Sequence, residues 1–208
     1  MPMLGITSLE DLALLRESVS LECKLAKGRD GKGALPEDFW ATYSAMANTD
    51  GGFVILGVRE GKGQFELEGI ENINKIRTDL FNNLNNRQKV SVNLLSDKQV
   101  RQHLMGDKIL LIIEIPRASR QQRPVYLTPN PFAGNTYRRL DEGDRPLSDE
   151  DVKRMLAEQV EESRDYRILH GYGLGDLDMG TLRVYRQVFA NREPGHPWNE
   201  IDDHAFCR

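Results

Sequence analysis

The sequence predicts an α+β (mixed α/β) fold, in which a mixed β-sheet packs against helices and a helical extension follows towards the C-terminus. Three observations predict it. Short runs with an apolar residue at every second position alternate with amphipathic helical patterns through the first 140 residues. A continuous apolar run, Phe53–Val58, is typical of a buried central strand. After residue 148 the recognisable patterns are helical.

The first elements are bounded by residues that begin or end helices and strands. Ser8 is a helix N-cap followed by apolar residues at helical spacing. Val19–Lys24 alternates apolar and polar side chains, which predicts a strand with one polar face. A basic glycine-rich loop, Lys27–Gly33, leads to a helix that begins near Pro36 and ends before the turn Asp50–Gly52.

The later elements follow the same two periodicities. Pro116 ends one strand, and Ser148 caps a helix whose first turn is acidic. The patterns predict a helix at 73–84, strands at 90–94, 125–127 and 136–139, a hairpin at 100–104 and 109–115, and helices at 148–160 and 178–191.

The composition is typical of a folded cytoplasmic chain. Hydrophobic residues make up 39% and charged residues 29% of the 208 residues, which is enough apolar material for a core. No apolar run approaches the ~20 residues of a membrane span, and the N-terminus lacks a signal-peptide pattern. Cys23 and Cys207 form neither a disulfide framework nor a metal-ligand spacing, so a reducing cytoplasm is the expected location.

Charge divides unevenly along the chain. The formal net charge of −4 by itself disfavours a nucleic-acid partner, because phosphate binding needs clustered Lys and Arg. However, residues 1–140 carry 19 Lys and Arg against 16 Asp and Glu, whereas residues 141–208 carry 9 against 16. The sequence therefore predicts a slightly basic domain at 1–140 and an acidic helical extension at 141–208.

Familiar phosphate and metal motifs do not occur in the sequence. Gly28 and Gly33 have the outer spacing of a P-loop, but Ala34 follows where a lysine and a hydroxyl residue are needed. The histidines and cysteines are scattered without the spacing of zinc ligands. No cofactor is therefore firmly implied.

Glu17, Glu22 and Glu60 form a candidate acidic site. Glu22 lies on the polar face of the first strand and Glu60 ends the central strand. If these strands are neighbours, the carboxylates converge and hold a divalent ion that polarises a phosphodiester and activates water. Lys24 adds a cation suited to developing negative charge. The alternative is a solvated strand face with ordinary ion pairs.

Basic residues form a second candidate site, which would follow a phosphate backbone. They occupy the glycine-rich loop, the segment after Pro116 in which arginine recurs every third residue, and the end of a later strand. The set comprises Lys24, Lys27, Arg29, Lys32, Arg117, Arg120, Arg123, Arg138 and Arg139. The alternative is solubilising surface charge.

Several segments resemble the Schlafen-type AlbA-like domain. Glu17–Lys24 (ESVSLECK) is similar to the family's E-S-x-x-x-E-F-K opening, with Cys23 in place of an aromatic residue. Tyr43–Gly52 (YSAMANTDGG) resembles the family's SAFANTxGG segment. Tyr137–Gly143 (YRRLDEG) resembles its Y-x-R-x-G-E exit into a helix.

The resemblance covers residues 9–160 and implies an AlbA-like mixed sheet and binding of DNA or RNA. Bacterial members are regarded as transcriptional regulators. Residues 176–200 resemble the stretch that follows this domain in such members, before a winged helix or an ATP-binding region. The resemblance therefore implies that residues 1–208 are the N-terminal part of a longer chain with a further C-terminal region.

In some animal relatives the domain is an RNA endonuclease that uses three acids. Glu17 and Glu22 match the first two positions, whereas Arg59 stands where the third acid is expected and Glu60 follows one residue later. Side chains alternate between the two faces of a strand, so a one-residue slip changes the face. Mg²⁺ or Mn²⁺ is a cofactor only under this nuclease hypothesis.

Three functions remain as alternatives. The first is a non-catalytic DNA- or RNA-binding module of a bacterial transcriptional regulator. The second is a metal-dependent endoribonuclease centred on Glu17, Glu22 and Glu60, with Lys24 assisting. The third is a protein-interaction or dimerisation domain that forms a homo-oligomer. The predicted partners are nucleic acid, a second copy or further domains of the same chain, and no membrane.

Overall fold

The computed structural model describes residues 6, 8–18, 20–28, 33–61, 64–141, 143–165, 171 and 174–206, with side chains described there except at 16–18, 160–165, 174 and 204. In chain order the elements are α1 (Leu9–Ser18), β1 (Leu21–Lys24), α2 (Phe39–Asn48), β2 (Gly52–Leu56), β3 (Val58–Gly61), β4 (Gln64–Leu67), α3 (Ile73–Leu84), β5 (Val100–Met105), β6 (Lys108–Ile115), β7 (Tyr137–Leu140), β8 (Gly143–Pro146), α4 (Asp149–Asp165), α5 (Met179–Arg192) and α6 (Asp203–Phe206). Short 3₁₀ helices lie at Asp97–Gln99, Leu174–Asp176 and Pro197–Asn199. The predicted α+β class is confirmed.

A mixed sheet organises the N-terminal part of the chain. Its strand order is β1-β2-β6-β5. β1 runs parallel to β2, and the β2–β6 and β6–β5 pairs are antiparallel. β3 with β4 and β7 with β8 form separate antiparallel hairpins. The parallel pair places β1, which carries Glu22 and Lys24, beside the central strand β2, which meets the condition for the predicted acidic site.

Apolar side chains cover both faces of this sheet. One cluster joins the sheet to α2 and α3 and includes Phe39, Tyr43, Leu56, Ile76 and Leu111. A second cluster joins it to α1 and the β3–β4 hairpin, and includes Leu12, Cys23, Ile55, Val58 and Leu110. The central β2 strand contributes to both clusters, which explains its continuous apolar sequence.

The apolar run 53–58 is divided between two strands. Gly57 separates β2 from β3 with a φ of 99°, a conformation that favours glycine. A Cβ atom there would lie 2.9 Å from Leu110 Cδ2. The turn at Gly57 therefore directs β3, with Arg59 and Glu60, away from the sheet and into the hairpin with β4.

The turn after α2 depends on close backbone packing. The Gly51 N–H donates to the Met46 carbonyl at 2.9 Å, and Gly51 has a φ of 81°. A Cβ atom on Gly51 would lie 2.7 Å from the Ile115 carbonyl oxygen, and one on Gly52 would lie 2.7 Å from the Ser20 carbonyl oxygen. Both glycines let the chain pass between β1 and β6.

The alternating residues at 90–94 form only an isolated bridge, between Val90 and Leu127. The Tyr43 hydroxyl donates to the Val92 carbonyl at 3.0 Å and accepts from the Leu94 N–H at 2.8 Å. A buried side chain thus takes the place of a strand partner here. Burial raises the pKa of this phenol, although the Leu94 hydrogen bond acts in the opposite direction.

The chain divides into two compact units, Met1–Asp165 and Tyr166–Arg208. In the second unit, aromatic rings pack around Phe189: Trp198 stacks on it at 5.8 Å between centroids, and Phe206 meets it edge-on at 5.9 Å. The Arg186 guanidinium lies 5.0 Å from the Phe206 ring and binds the Asp203 carboxylate at 2.5 Å. None of the helices that the structure describes is both long and apolar enough to span a membrane.

Candidate functional site

A charged cleft of about 590 Å³ lies beside β1. It is lined by side chains of both signs, with Glu22 and Lys24 from β1, Arg59 and Glu60 from β3, and Arg139 from β7. Asp38, just before α2, completes the charged lining. Glu22 and Glu60 thus share one cleft, whereas the side chain of Glu17 lies outside the described residues.

A network of ion pairs crosses the cleft. Lys24 Nζ donates to Asp38 Oδ2 at 2.6 Å and to Glu22 Oε1 at 3.3 Å. Arg139 Nη2 donates to Glu22 Oε2 at 2.7 Å. Only 7% of the Lys24 side chain and 9% of the Arg139 side chain is exposed, so both cations are compensated largely within the protein.

Asp144 extends this network to α2. Arg139 Nη1 donates to Asp144 Oδ1 at 2.8 Å, and the Thr42 hydroxyl donates to Asp144 Oδ2 at 2.6 Å. Burial favours a lower pKa for the Arg139 guanidinium, but the hydrogen bonds and charges of Asp144 and Glu22 outweigh burial and raise the pKa. Lys24 and Arg139, both predicted to bind nucleic acid, are therefore engaged by carboxylates of the protein itself.

In the cleft, Glu22 has cationic partners where the sequence predicts a metal ligand. Both oxygens of Glu22 accept hydrogen bonds from cationic side chains. Arg59 donates to Glu68 at 2.7 Å and lies 3.8 Å from a Glu66 oxygen. Within the described part of the chain, no group of three or more His, Cys, Asp and Glu side chains is placed to hold a metal.

The glycine-rich loop is described only at its two ends, because Arg29 and Lys32 lie outside the described residues. Lys27 is exposed and binds Glu68 at 3.1 Å. The hydrogen bond and charge of Lys27, together with the charge of Arg59, lower the pKa of the Glu68 carboxyl. Lys27 is thus paired at the mouth of a second, smaller pocket of about 220 Å³.

Four arginines from the segment after β6 and from β7 act on one another, and we refer to Arg117, Arg120, Arg123 and Arg138 as the arginine cluster. Burial lowers the pKa of Arg123, the positive charge of Arg117 lowers it further, and Arg120 and Arg138 add to the effect against the opposing charge of Glu158. Arg123 Nε is buried without a hydrogen-bond acceptor among the described residues. The cluster is therefore a concentration of under-compensated positive charge.

Polar side chains of α2 hold the two segments of this cluster together. Asn48 accepts from the Val125 N–H at 2.8 Å and donates to the Tyr137 carbonyl at 2.9 Å. The Ser44 hydroxyl donates to the Val125 carbonyl at 2.7 Å and accepts from the Tyr137 N–H at 3.0 Å. The segment before Val125 carries Arg117 to Arg123, and Arg138 follows Tyr137, so α2 sets the distance between them.

Asp38 and Asp144 are site residues that the sequence reasoning missed. Asp38 lies one residue before α2, two residues after Pro36, where the sequence predicts the start of this helix. Asp144 is the cross-strand partner of Arg139. Recognition that Leu140 and Gly143 are cross-strand partners would have identified that pair, because one known pair sets the register of a hairpin.

Comparison with protein families identifies the family to which the chain belongs. The family model described as Schlafen, AlbA_2 matches residues 17–148. The chain belongs to this Schlafen AlbA_2 family. A second model, Domain of unknown function (DUF8451), matches residues 153–208. The AlbA_2 match contains the charged cleft and the arginine cluster, and the recognition made from the sequence motifs is confirmed.

Comparison with solved structures gives matches of low sequence identity. The N-terminal domain of a RecG-related protein from Nitrosomonas europaea is 22% identical with a TM-score of 0.48, over 79% of this chain and 94% of that one. The DIP2311 protein from Corynebacterium diphtheriae is 18% identical with a TM-score of 0.44, over 90% of this chain and 34% of that one. This chain therefore spans about a third of the second structure. Comparison with curated proteins gives no match.

Proposed function

We propose that this AlbA_2 domain binds DNA or RNA through the arginine cluster, as the nucleic-acid-binding part of a cytoplasmic transcriptional regulator. The observation that carries the proposal is the buried Arg123 Nε without an acceptor among the described residues, in a segment that Asn48 holds beside β7 and Arg138. Like charges held together repel one another, and phosphate oxygens compensate them with charge-assisted hydrogen bonds.

The contrast with the cleft supports this choice of surface. Arg139 and Lys24 already bind carboxylates, so a phosphate group would have to displace those partners. Within the arginine cluster, Arg117 has an exposed partner, Asp50, at 3.2 Å, and Arg120 has no ion-pair partner among the described residues. The cluster can therefore accept phosphate at lower cost than the cleft.

Fluorescence anisotropy with labelled single-stranded and duplex oligonucleotides tests the proposal. Binding should weaken with salt, with a log–log slope of about 0.7–0.9 per phosphate neutralised. Arg120→Glu and Arg123→Glu should weaken binding to all sequences alike, whereas Arg101→Glu on β5 should have little effect. A folded chain that binds neither oligonucleotide at ~50 mM salt would contradict the proposal.

A metal-dependent endoribonuclease is the second candidate, and one observation favours it: Glu22 and Glu60 line the same cleft. The ion pairs of Glu22 oppose it, because both carboxylate oxygens are engaged. Incubation of structured RNA with Mn²⁺ or Mg²⁺ separates the two functions. Cleavage by the wild type that Glu22→Gln abolishes and Glu66→Gln leaves intact would support the nuclease, and cleavage that survives Glu22→Gln would reject this site.

A further inference from the structure

The β7–β8 hairpin has two faces of different charge. On one face Arg139 is the cross-strand partner of Asp144, and the two side chains form an ion pair. On the other face Arg138 is the direct cross-strand partner of Arg145. Like charges at directly opposed positions of an antiparallel pair destabilise the pairing. The Arg138–Arg145 pair therefore repels across the second face, whereas the Arg139–Asp144 pair attracts across the first.

Carboxylates of the described residues do not relieve this repulsion. Arg138 and Arg145 both lack an ion pair or side-chain hydrogen bond within the described part of the chain. Arg138 also belongs to the arginine cluster, because its charge acts on Arg123, so Arg145 extends that cluster across the hairpin. The surface thus continues from the segment after β6 across one face of the hairpin.

Gly143 makes room for the Arg145 side chain. A Cβ atom at position 143 would lie 3.2 Å from Arg145 Nε and 3.5 Å from its Cζ, so the guanidinium lies over the glycine. Leu140, the cross-strand partner of Gly143, is 56% exposed on the same face. Two guanidinium groups and an apolar side chain therefore lie on the same face of the hairpin.

We propose that Arg138 and Arg145 bind one phosphate group between them, and that Arg145 is a phosphate-binding residue of this domain. The inference rests on the proposed nucleic-acid function, and it identifies the phosphodiester that the hairpin would hold. Guanidinium groups form bidentate hydrogen bonds with phosphate oxygens, and the bound anion replaces the repulsion with attraction to both strands. Leu140 would contact the sugar or base next to the bound phosphodiester. A free phosphate ion has neither group and would gain no such contact.

Anisotropy measurements on the full chain test this site with Arg145→Gln and Arg138→Gln. Arg101→Gln on β5 is the control, because it removes the same charge from an exposed position away from the hairpin. We expect Arg145→Gln to weaken oligonucleotide binding about five- to tenfold at low salt and to reduce the salt slope by about one. The control should leave both the affinity and the slope unchanged.

Thermal unfolding provides a readout that a merely structural role would not produce. Without anion, Arg145→Gln should leave the Tm unchanged or raise it, because it removes one of two opposed like charges. Inorganic phosphate should raise the Tm of the wild type more than that of Arg145→Gln. A larger shift with an oligonucleotide than with inorganic phosphate would show that the phosphodiester, rather than a free ion, is the ligand.

The outcomes separate this inference from the proposed function. If Arg120→Glu weakens binding but Arg145→Gln does not, the hairpin site is wrong and the arginine cluster stands. If the folded wild type binds no oligonucleotide and gains no stability from phosphate, both are wrong. If Arg145→Gln weakens binding only by lowering the Tm, Arg145 is structural and the site is also overturned.

Discussion

Asn48 is a single buried amide that joins the segments carrying the arginine cluster. It is 2% exposed, and besides its bonds to the Val125 N–H and the Tyr137 carbonyl, its Nδ2 donates to the Val125 carbonyl at 2.8 Å. A buried backbone group that loses its partner costs about 1–3 kcal/mol. Asn48 therefore contributes more to the free energy of unfolding than an asparagine that only ends a helix.

We expect Asn48→Ala to lower the free energy of unfolding by about 3 kcal/mol, because it leaves several buried backbone groups unpaired. Urea unfolding followed by circular dichroism measures the change. Gln102→Ala, at an exposed position of β5, is the control and should change stability by less than about 0.5 kcal/mol. A loss for Asn48→Ala no greater than that of the control would show that water replaces the amide.

The role of Asn48 was only partly predictable. Its motif and its position at the end of a helix were readable from the sequence, because both are local. Its hydrogen-bond partners lie 77 and 89 residues away along the chain. No spacing rule connects such positions, so the sequence indicated that the segment matters without showing what it holds.

The β7–β8 hairpin is the element on which both charged surfaces meet. Its Arg139–Asp144 pair is 9% and 16% exposed and is tied to α2 by Thr42. Removing one partner of such a pair leaves the other charge poorly solvated, which costs more than the pair itself contributes.

Asp144→Asn should therefore destabilise the protein by about 2 kcal/mol, since Glu22 is then the one anionic partner that the described residues leave to the Arg139 guanidinium. Chemical denaturation measures the change. Glu66→Gln provides the comparison, because Glu66 is exposed and its carboxylate lies as far as 3.8 Å from the Arg59 guanidinium. Its effect should be below about 0.5 kcal/mol. Equal effects of the two substitutions would mean that solvent screens both pairs alike.

The sequence predicted β7 but not β8, and the reason is physical. Amphipathic helices show their periodicity because apolar side chains mark one face, and β2 is visible as a continuous apolar run because both of its faces are buried. Gly143–Pro146 has the sequence GDRP and no alternating apolar residues, since this strand pairs through charged side chains. The same lack of pattern hid Asp144 and Arg145, so the candidate site was predicted less completely than the fold.

At the scale of the whole chain, negative charge and compactness divide the molecule at different places. Residues 141–165 carry ten Asp and Glu against four Lys and Arg, and they belong to the first compact unit. α4 is anchored by Val152, which is fully buried, and by Met155 at 7% exposure. The predicted boundary at 140 follows the charge of surface residues, whereas the unit boundary at 165 follows buried contacts. The two boundaries therefore differ because they reflect different properties of the chain.

Each unit contains one of the two tryptophans, so tryptophan fluorescence can report on the two units separately. Trp40, in α2, is 5% exposed, and Trp198 is 53% exposed and stacked on Phe189. We expect Phe189→Ala to change Trp198 emission strongly. In a Trp198→Phe background, the same substitution should leave the thermal midpoint reported by Trp40 emission unchanged. A shifted Trp40 midpoint would show that the two units unfold together.

The ion pairs of Lys24 also determine its chemical reactivity. An amine held between the carboxylates of Glu22 and Asp38 at 8% exposure is shielded from reagents that acylate lysine. Lys27, three residues later, has 61% of its side chain exposed. Covalent labelling read by mass spectrometry would therefore modify Lys27 and spare Lys24, and modification of Lys24 would serve as a chemical sign that the cleft network has opened.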